Sequence, residues 1–204
     1  MKRHPLVKVC GIRDAAIALL AESLGADYLG FIFAEGSPRR VTVGEAAAIV
    51  AHLAGKSRLA GVFTDAPVDR ILAIAAIVPL SVAQLHSRDY GADDVSVLKA
   101  AGLEVWRLYG GGDEADDAAD AVLLDGAARG AVGGTGVRAD WELARRLAAE
   151  GRRVVLAGGI SAKNATAAAE TGCAVLDVNS SLETAPGVKS MQALREFFEW
   201  KSQS

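Results

Sequence analysis

Short apolar runs punctuate the chain at nearly even intervals: Leu6–Cys10, Tyr28–Phe33, Leu59–Phe63, Leu80–Leu85, Glu104–Leu108, Ala121–Leu124, Val154–Ala157 and Val175–Val178. Each is too short for a helix and suits a strand buried on both faces. Amphipathic or alanine-rich stretches with helical ends lie between them. Thr42-Val-Gly-Glu45 is a capping-box pattern ahead of Ala46–Leu53. Asp65, with Pro67 in the first turn, opens a helix through Ile71, Leu72 and Ala75. Asp140 precedes Trp141–Ala149, which Gly151 stops, and Ser190 precedes a last helix through Leu194, Phe197 and Phe198. Gly25, Gly102 and Gly172 each fall between a helix and the next strand, where a left-handed residue is wanted.

Strands alternating with helices along the whole length predict an α/β fold with a parallel sheet. Eight such units favour a (β/α)₈ TIM barrel, because an open sheet more often stops at about five or six strands. The barrel is predicted as a single domain over 1–204. It is a compact one, since barrels of this class typically run to about 250 residues. The fifth unit fits least well: Tyr-Gly-Gly-Gly-Asp-Glu follows Leu108, and only Glu114–Asp120 remains for its helix. No linker, low-complexity tract or charge block marks a second domain.

Composition narrows the class. Hydrophobic residues make up 51% and aromatics only 5%, so the core is mainly Ala, Val, Leu and Ile. A net charge of −3 gives no basic face for nucleic acid. No window reaches the length of a membrane span, and the basic start Met1-Lys-Arg-His-Pro5 lacks the apolar run and cleavage site of a secretory signal. Cys10 and Cys173 form no metal-ligand spacing or disulfide framework, and His4, His52 and His86 are scattered. The expectation is a cytoplasmic protein with no metal, cofactor, nucleic-acid or membrane partner.

In a barrel the working residues sit at the C-terminal strand ends and in the loops after them. Here those positions are Cys10-Gly11, Phe33 with Ser37-Pro38-Arg39, Thr64-Asp65, Gln84 and His86, Arg107, Asp125-Gly126, Gly158-Gly159 and Asn179-Ser180-Ser181. Cys10 is either a small buried hydrophobe or a thiolate, and the second role needs its pKa to fall from about 8.5. Asp125 closes an apolar strand, either as a turn-initiating residue or as a general acid kept protonated by its surroundings. Thiol and carboxyl at one mouth suit a base and an acid for moving protons. Arg39 suits a planar substrate carboxylate, while Arg40 is read as solvated. Arg107 joins the rim set, and Gln84 and His86 are read as structural or substrate-facing alike.

Gly158-Gly159 follows Val154–Ala157, and Ser161 is placed to cap a helix through Ala165–Ala169. Strand, glycine pair and helix N-terminus together form an anion seat. Gly133-Gly134-Thr135-Gly136 and Asn179-Ser180-Ser181 add two adjacent turns, together enough for a phosphate. Asp177 and Glu183 stand nearby, so the seat is expected to rely on backbone N–H groups rather than cations.

These segments together resemble the phosphoribosylanthranilate isomerase family over nearly the whole chain. The resemblance rests on Lys8-Val-Cys-Gly-Ile12, Gly30-Phe-Ile-Phe33 with Ser37-Pro-Arg39, Gly61-Val-Phe63, Gln84-Leu-His86 and Leu123-Leu-Asp125. It continues through Gly133-Gly-Thr-Gly136 with Asp140-Trp141, Leu156-Ala-Gly-Gly-Ile160 with Asn164, and Asp177-Val-Asn-Ser-Ser-Leu-Glu183 with Pro186-Gly-Val-Lys189. Two departures are Ser87-Arg88-Asp89, where the family usually has Gly-Glu or similar, and the short fifth unit.

The resemblance implies an Amadori rearrangement in tryptophan synthesis, without metal or organic cofactor. Asp125 would be the general acid and Cys10 the base. Arg39 would bind the anthranilate carboxylate, and Gly134, Gly136, Gly158, Gly159, Asn179, Ser180 and Ser181 the phosphate. A monomer or homodimer is expected. A related isomerase of histidine synthesis would carry Asp in place of Cys10 and a half-chain repeat. A metal-dependent epimerase would need a His/Asp cluster, and a non-catalytic scaffold would not need the Cys10–Asp125 pair.

Overall fold

The computed structural model describes residues 4–126 and 140–203. Eight parallel strands close into a barrel in sequence order. They are β1 (Leu6–Cys10), β2 (Tyr28–Ile32), β3 (Arg58–Phe63), β4 (Val82–Leu85), β5 (Glu104–Leu108), β6 (Ala121–Leu124), β7 (Val154–Leu156) and β8 (Val175–Val178). The ring closes where Leu6, Val7, Lys8 and Val9 pair with Val175, Leu176, Asp177 and Val178. Around it run α1 (Ala15–Ser23), α2 (Val43–Val50), α3 (Val68–Ala75), α4 (Ala92–Ala100), α5 (Glu114–Ala118), α6 (Trp141–Ala149), α7 (Ala165–Ala169) and α8 (Met191–Gln203). The predicted (β/α)₈ barrel is therefore the observed one.

Local chemistry sets the helix starts. Thr42 Oγ1 accepts from the Glu45 N–H at 3.2 Å, and the Glu45 carboxylate accepts from the Thr42 N–H at 2.7 Å, completing the predicted box. Asp140 Oδ1 accepts from Leu143 N at 3.0 Å, as its position foretold. Two predicted starts differ. Pro67, not Asp65, caps α3, and it does so without a side-chain bond; Asp65 instead accepts from Thr64 Oγ1 at 3.0 Å. Asn164, not Ser161, stands at the N-cap of α7. Its Oδ1 takes the Ser161 N–H at 2.9 Å, so Ser161 is already inside the turn before the helix. Gly25, Gly102 and Gly172 adopt φ of 90°, 88° and 81°, the left-handed helix ends expected of them.

The two-residue period of each strand separates two cores. Outward residues such as Val7, Val9, Leu29, Phe31, Ala83, Leu85, Val105 and Leu176 meet the helices. Inward residues Tyr28, Ala60, Val82, Trp106, Ala121, Leu123, Val155 and Val175 fill the barrel. Trp106 carries much of that fill, packed edge-on to Tyr28 with centroids 4.9 Å apart. Burying a side chain of this class contributes about 1.5–3 kcal/mol, and truncating one to Ala costs about 3–5.

The same period corrects the rim assignment of Arg107. Inward Trp106 and Leu108 flank it, so its guanidinium points out between helices and donates to Tyr90 O, Arg88 O, Asp113 and Asp116 at 2.6–3.1 Å. It fastens the short fifth unit and the Ser87–Asp89 turn to the barrel, where it stabilises the fold rather than facing a ligand. After β8 comes an arrangement the apolar pattern did not foretell. A single 3-10 turn over Ser180–Leu182 leads into a small hairpin of β9 (Glu183–Ala185) and β10 (Val188–Lys189) before α8. No helix among the described residues is long and apolar enough to cross a membrane.

Candidate active site

On β1, Lys8 and Cys10 share the inward face, one above the other. Lys8 is fully buried, and its ammonium donates to Gln84 Oε1 at 2.6 Å, Asp177 Oδ2 at 2.8 Å and Cys10 Sγ at 3.3 Å. Asp177 sits beside Lys8 because the two are register partners across the β1–β8 seam. Its second oxygen, Oδ1, is buried without a hydrogen-bond partner. Gly30 is the register partner of Cys10 on β2, and any Cβ there would lie 2.8 Å from Lys8 Cε and 3.0 Å from Cys10 Sγ. Only glycine leaves room for the Lys8–Cys10 contact.

Burial pushes the Cys10 thiol above its ordinary value and Asp177 adds to that, while Lys8 and Lys189 pull it back. The fall in thiol pKa that a thiolate role needs is thus opposed by the surroundings, because a side chain only 4% exposed loses more solvation than two ammoniums restore. Burial alone would lower Lys8, but Asp177 and Cys10 outweigh it and hold the ammonium charged.

Asp125 follows β6, two residues beyond inward-facing Leu123, and so turns into the barrel mouth. Its Oδ2 lies 3.4 Å from Nε2 of His86, which stands two residues beyond Gln84 on β4. Burial pushes the imidazole down and Lys8 acts in the same sense, against Asp125 and Asp177. His86 is therefore neutral near pH 7, its Nε2 a donor or acceptor according to tautomer.

Arg39 leaves the β2–α2 loop and is nearly buried. Its Nε and Nη2 donate side-on to the two Glu183 oxygens, both at 2.8 Å. Lys189 also donates to Glu183 Oε1 at 2.8 Å, and to Asn179 Oδ1 at 2.7 Å. The two carboxylates expected to put negative charge beside the seat are each paired, Asp177 with Lys8 and Glu183 with Arg39 and Lys189. Gly11 lets this cluster close: a Cβ on it would come within 2.9 Å of Asn179 Oδ1 and 3.2 Å of Arg39 Cδ.

The β7 and β8 loops lie side by side. Gly158 and Gly159 take φ of 82° and 69°, and Ser181 Oγ donates to the Ile160 carbonyl at 2.5 Å, tying the loops together. The helix side of the expected anion seat starts later than the sequence suggested: α7 begins at Ala165, and Asn164 Oδ1 takes the Ser161 N–H. What the loops offer is the glycine backbone and the first N–H groups of the Ser180–Leu182 turn, which have no partner within it. Gly134 and Gly136 lie outside the described residues.

Sequence reasoning therefore placed Cys10, Asp125, Arg39, Asn179, Ser180 and Ser181 at one end of one barrel, and it missed Lys8 and Lys189. The signal for Lys8 was present: a lysine two residues before Cys10 in an apolar strand must share its inward face. Lys189 had no such signal, because the hairpin that delivers it is invisible to periodicity.

The model of the N-(5'phosphoribosyl)anthranilate isomerase family matches residues 7–200. An N-(5'-phosphoribosyl)anthranilate isomerase of Rubrobacter xylanophilus is 42% identical, over 94% of this chain and 96% of its own. A phosphoribosyl anthranilate isomerase from Thermus thermophilus superimposes with a TM-score of 0.86 at 36% identity, covering 97% of this chain and 98% of that one. Another, solved with reduced 1-(o-carboxyphenylamino)-1-deoxyribulose 5-phosphate, gives 0.81 at 26% identity, covering 98% of this chain and 100% of that one.

Proposed function

This chain belongs to the N-(5'-phosphoribosyl)anthranilate isomerase family, and we propose that it converts N-(5-phosphoribosyl)anthranilate to 1-(2-carboxyphenylamino)-1-deoxyribulose 5-phosphate, the third step of tryptophan biosynthesis. The observation that carries the reading is that a thiol and a carboxyl face inward from the same rim of one parallel barrel.

Asp125 donates a proton to the ribose ring oxygen as the C1–O bond breaks, leaving an iminium at C1. Neutral His86 stands beside it, Nε2 3.4 Å from the carboxyl Oδ2, and orients it. Cys10, as thiolate, then removes the C2 proton, and the electron pair moves through C1 onto the anthranilate nitrogen as an enolamine. Tautomerisation gives the ketone. Because the substrate's own nitrogen takes up the electrons, the scheme draws on no organic cofactor or metal. Each positioned proton-transfer group contributes about 10²–10⁴-fold, and holding both ends of the substrate adds a proximity effect.

Arg39 receives the anthranilate carboxylate on the guanidinium edge bearing Nη1, because Glu183 takes the Nε and Nη2 edge. Backbone N–H groups of Gly158, Gly159, Ser180 and Ser181 receive the phosphate beside Asn179, and Gly134 and Gly136 complete that seat in this reading. Two free cysteines suit a reducing compartment, and we place the enzyme in the cytoplasm, as a monomer or homodimer that light scattering distinguishes.

The test is the substrate's anthranilate fluorescence, which is lost on turnover. Purified protein should abolish it at catalytic concentrations; persistence of the signal with folded protein removes the proposal. Since burial pushes the Cys10 thiol above its ordinary value, kcat/KM should climb with pH through the neutral and alkaline range as Cys10 ionises. A flat profile there excludes Cys10 as the base.

A further inference from the structure

We propose that Lys8 is a positioning residue for the reaction: its buried ammonium holds Cys10 Sγ in place and supplies the counter-charge under which the sulfur becomes a base. This rests on the reading of Cys10 above.

An ammonium has three N–H groups and no acceptor, and Lys8 spends them on Gln84 Oε1, Asp177 Oδ2 and Cys10 Sγ. The ion pair with Asp177 uses one of the three and the Gln84 amide a second. The third donor goes instead to sulfur, and Gly30 on the neighbouring strand gives up its side chain so that the two can meet. Asp177, meanwhile, keeps one buried oxygen without a partner. A pair selected only for stability would close that vacancy, or be replaced by apolar packing at similar or lower free energy. A buried lysine that reaches past its carboxylate to a thiol is better explained by the charge it places there.

The groups that face Cys10 define what else acts on it. Lys8 comes from β1, Asp177 from β8, Lys189 from β10, and Arg39 stands across Gly11 from the β2–α2 loop. Asp177 works against the thiolate; Lys8 and Lys189 work for it. Lys8 is the one in direct contact with the sulfur.

The experiment is a direct titration of Cys10, by ultraviolet absorbance of the thiolate and by the pH dependence of iodoacetamide alkylation, with Cys173→Ser as background. Lys8→Met should raise the midpoint by about 1–3 pH units, the effect of losing an adjacent opposite charge. It should also shift the alkaline limb of kcat/KM by the same amount and lower kcat with little change in KM. Asp177→Asn should move the midpoint the opposite way. Lys8→Arg, which keeps a cation, should recover part of the shift. If Lys8→Met leaves Asp177 uncompensated and does not fold, Asp177→Asn and Lys8→Met/Asp177→Asn put the same question, and the double variant should titrate higher than the single. An unchanged Cys10 midpoint in a folded variant lacking Lys8 overturns the proposal. Full activity in Cys10→Ala would instead overturn the assignment of the base, leaving the titration result separately readable.

Discussion

At the N-terminal rim of the barrel, Glu104 accepts from Trp106 Nε1 at 2.5 Å, from Arg58 Nη1 at 2.8 Å and from Arg153 Nη1. Both arginines also donate to Tyr28 Oη, at 3.2 and 3.1 Å, and lie over aromatic rings, Arg58 on Tyr28 and Arg153 on Trp106. At the C-terminal rim, one layer above the same core, Lys8 divides itself among three acceptors, and Asp177 Oδ1 and the Cys10 thiol keep bonding capacity unused. The two clusters contain similar charges on equivalent inward positions. The lower one closes on itself, which is the condition under which buried charge helps a fold. The upper one leaves donors and acceptors incomplete, and an unmade bond at a buried group costs about 1–3 kcal/mol. The difference separates a plug from a working site.

The sharpest way to break that contrast is to remove the proton carriers. Cys10→Ala and Asp125→Asn should each lower kcat by about 10²–10⁴-fold, with the melting temperature and inorganic phosphate affinity nearly unchanged. Circular dichroism and phosphate competition alongside kinetics check both halves. Wild-type rates in either variant remove that residue from the mechanism. Arg39→Lys comes next. It keeps the charge but loses the planar fork, so KM should rise about 10–100-fold, as for a lost charged hydrogen bond of roughly 1.5–3 kcal/mol, while kcat stays within a few-fold. A fall in kcat with KM constant would mean that Arg39 does not hold the substrate's ground state.

At the other end the expected effect is smaller and falls on stability alone. Burial pushes the Glu104 carboxyl up, but the Trp106 N–H and the two guanidiniums outweigh it and hold it below its ordinary value. Its stabilisation is therefore present above the unfolded carboxylate pKa and is lost as pH falls through the lower folded value. Glu104→Gln should cost about 1–2 kcal/mol near neutral pH, discounted because Arg58 is half exposed. That cost should shrink in acid, with kcat unaltered throughout. A change in kcat would show that the two rims are coupled through the core.

How much of this contrast was legible in the chain follows from which forces are local. Strand period and helix ends are, so the barrel, the capping box at Thr42 and the rim positions of Cys10 and Asp125 were readable before any coordinates. Partner choice is not. The cation beside Glu183 was not legible because Arg39 lies 144 positions away in the sequence, nor the one beside Asp177, because it comes from the strand that closes the ring. Arg107 was misplaced for a different reason: its type suggested a ligand, while its parity along β5 already pointed it outward. Asn164 won the α7 cap because the glycine pair is followed by an extra turn, and no propensity encodes the length of such a turn.

The smallest effect tests the upper cluster at its edge. The Ser181 hydroxyl is spent on the Ile160 carbonyl at 2.5 Å, so in this reading only its backbone N–H serves the phosphate. Ser181→Ala keeps that N–H and removes the tie between the β7 and β8 loops. Loss of this one neutral hydrogen bond should cost about 1 kcal/mol, or roughly fivefold in KM and in inhibition by inorganic phosphate, with kcat unchanged. If KM and phosphate inhibition both stay at wild-type values, the two loops keep their geometry without the tie and Ser181 Oγ has no part in the seat. If kcat falls as well, the loops position more than phosphate, and the separation between holding the substrate and moving its protons would have to be drawn elsewhere.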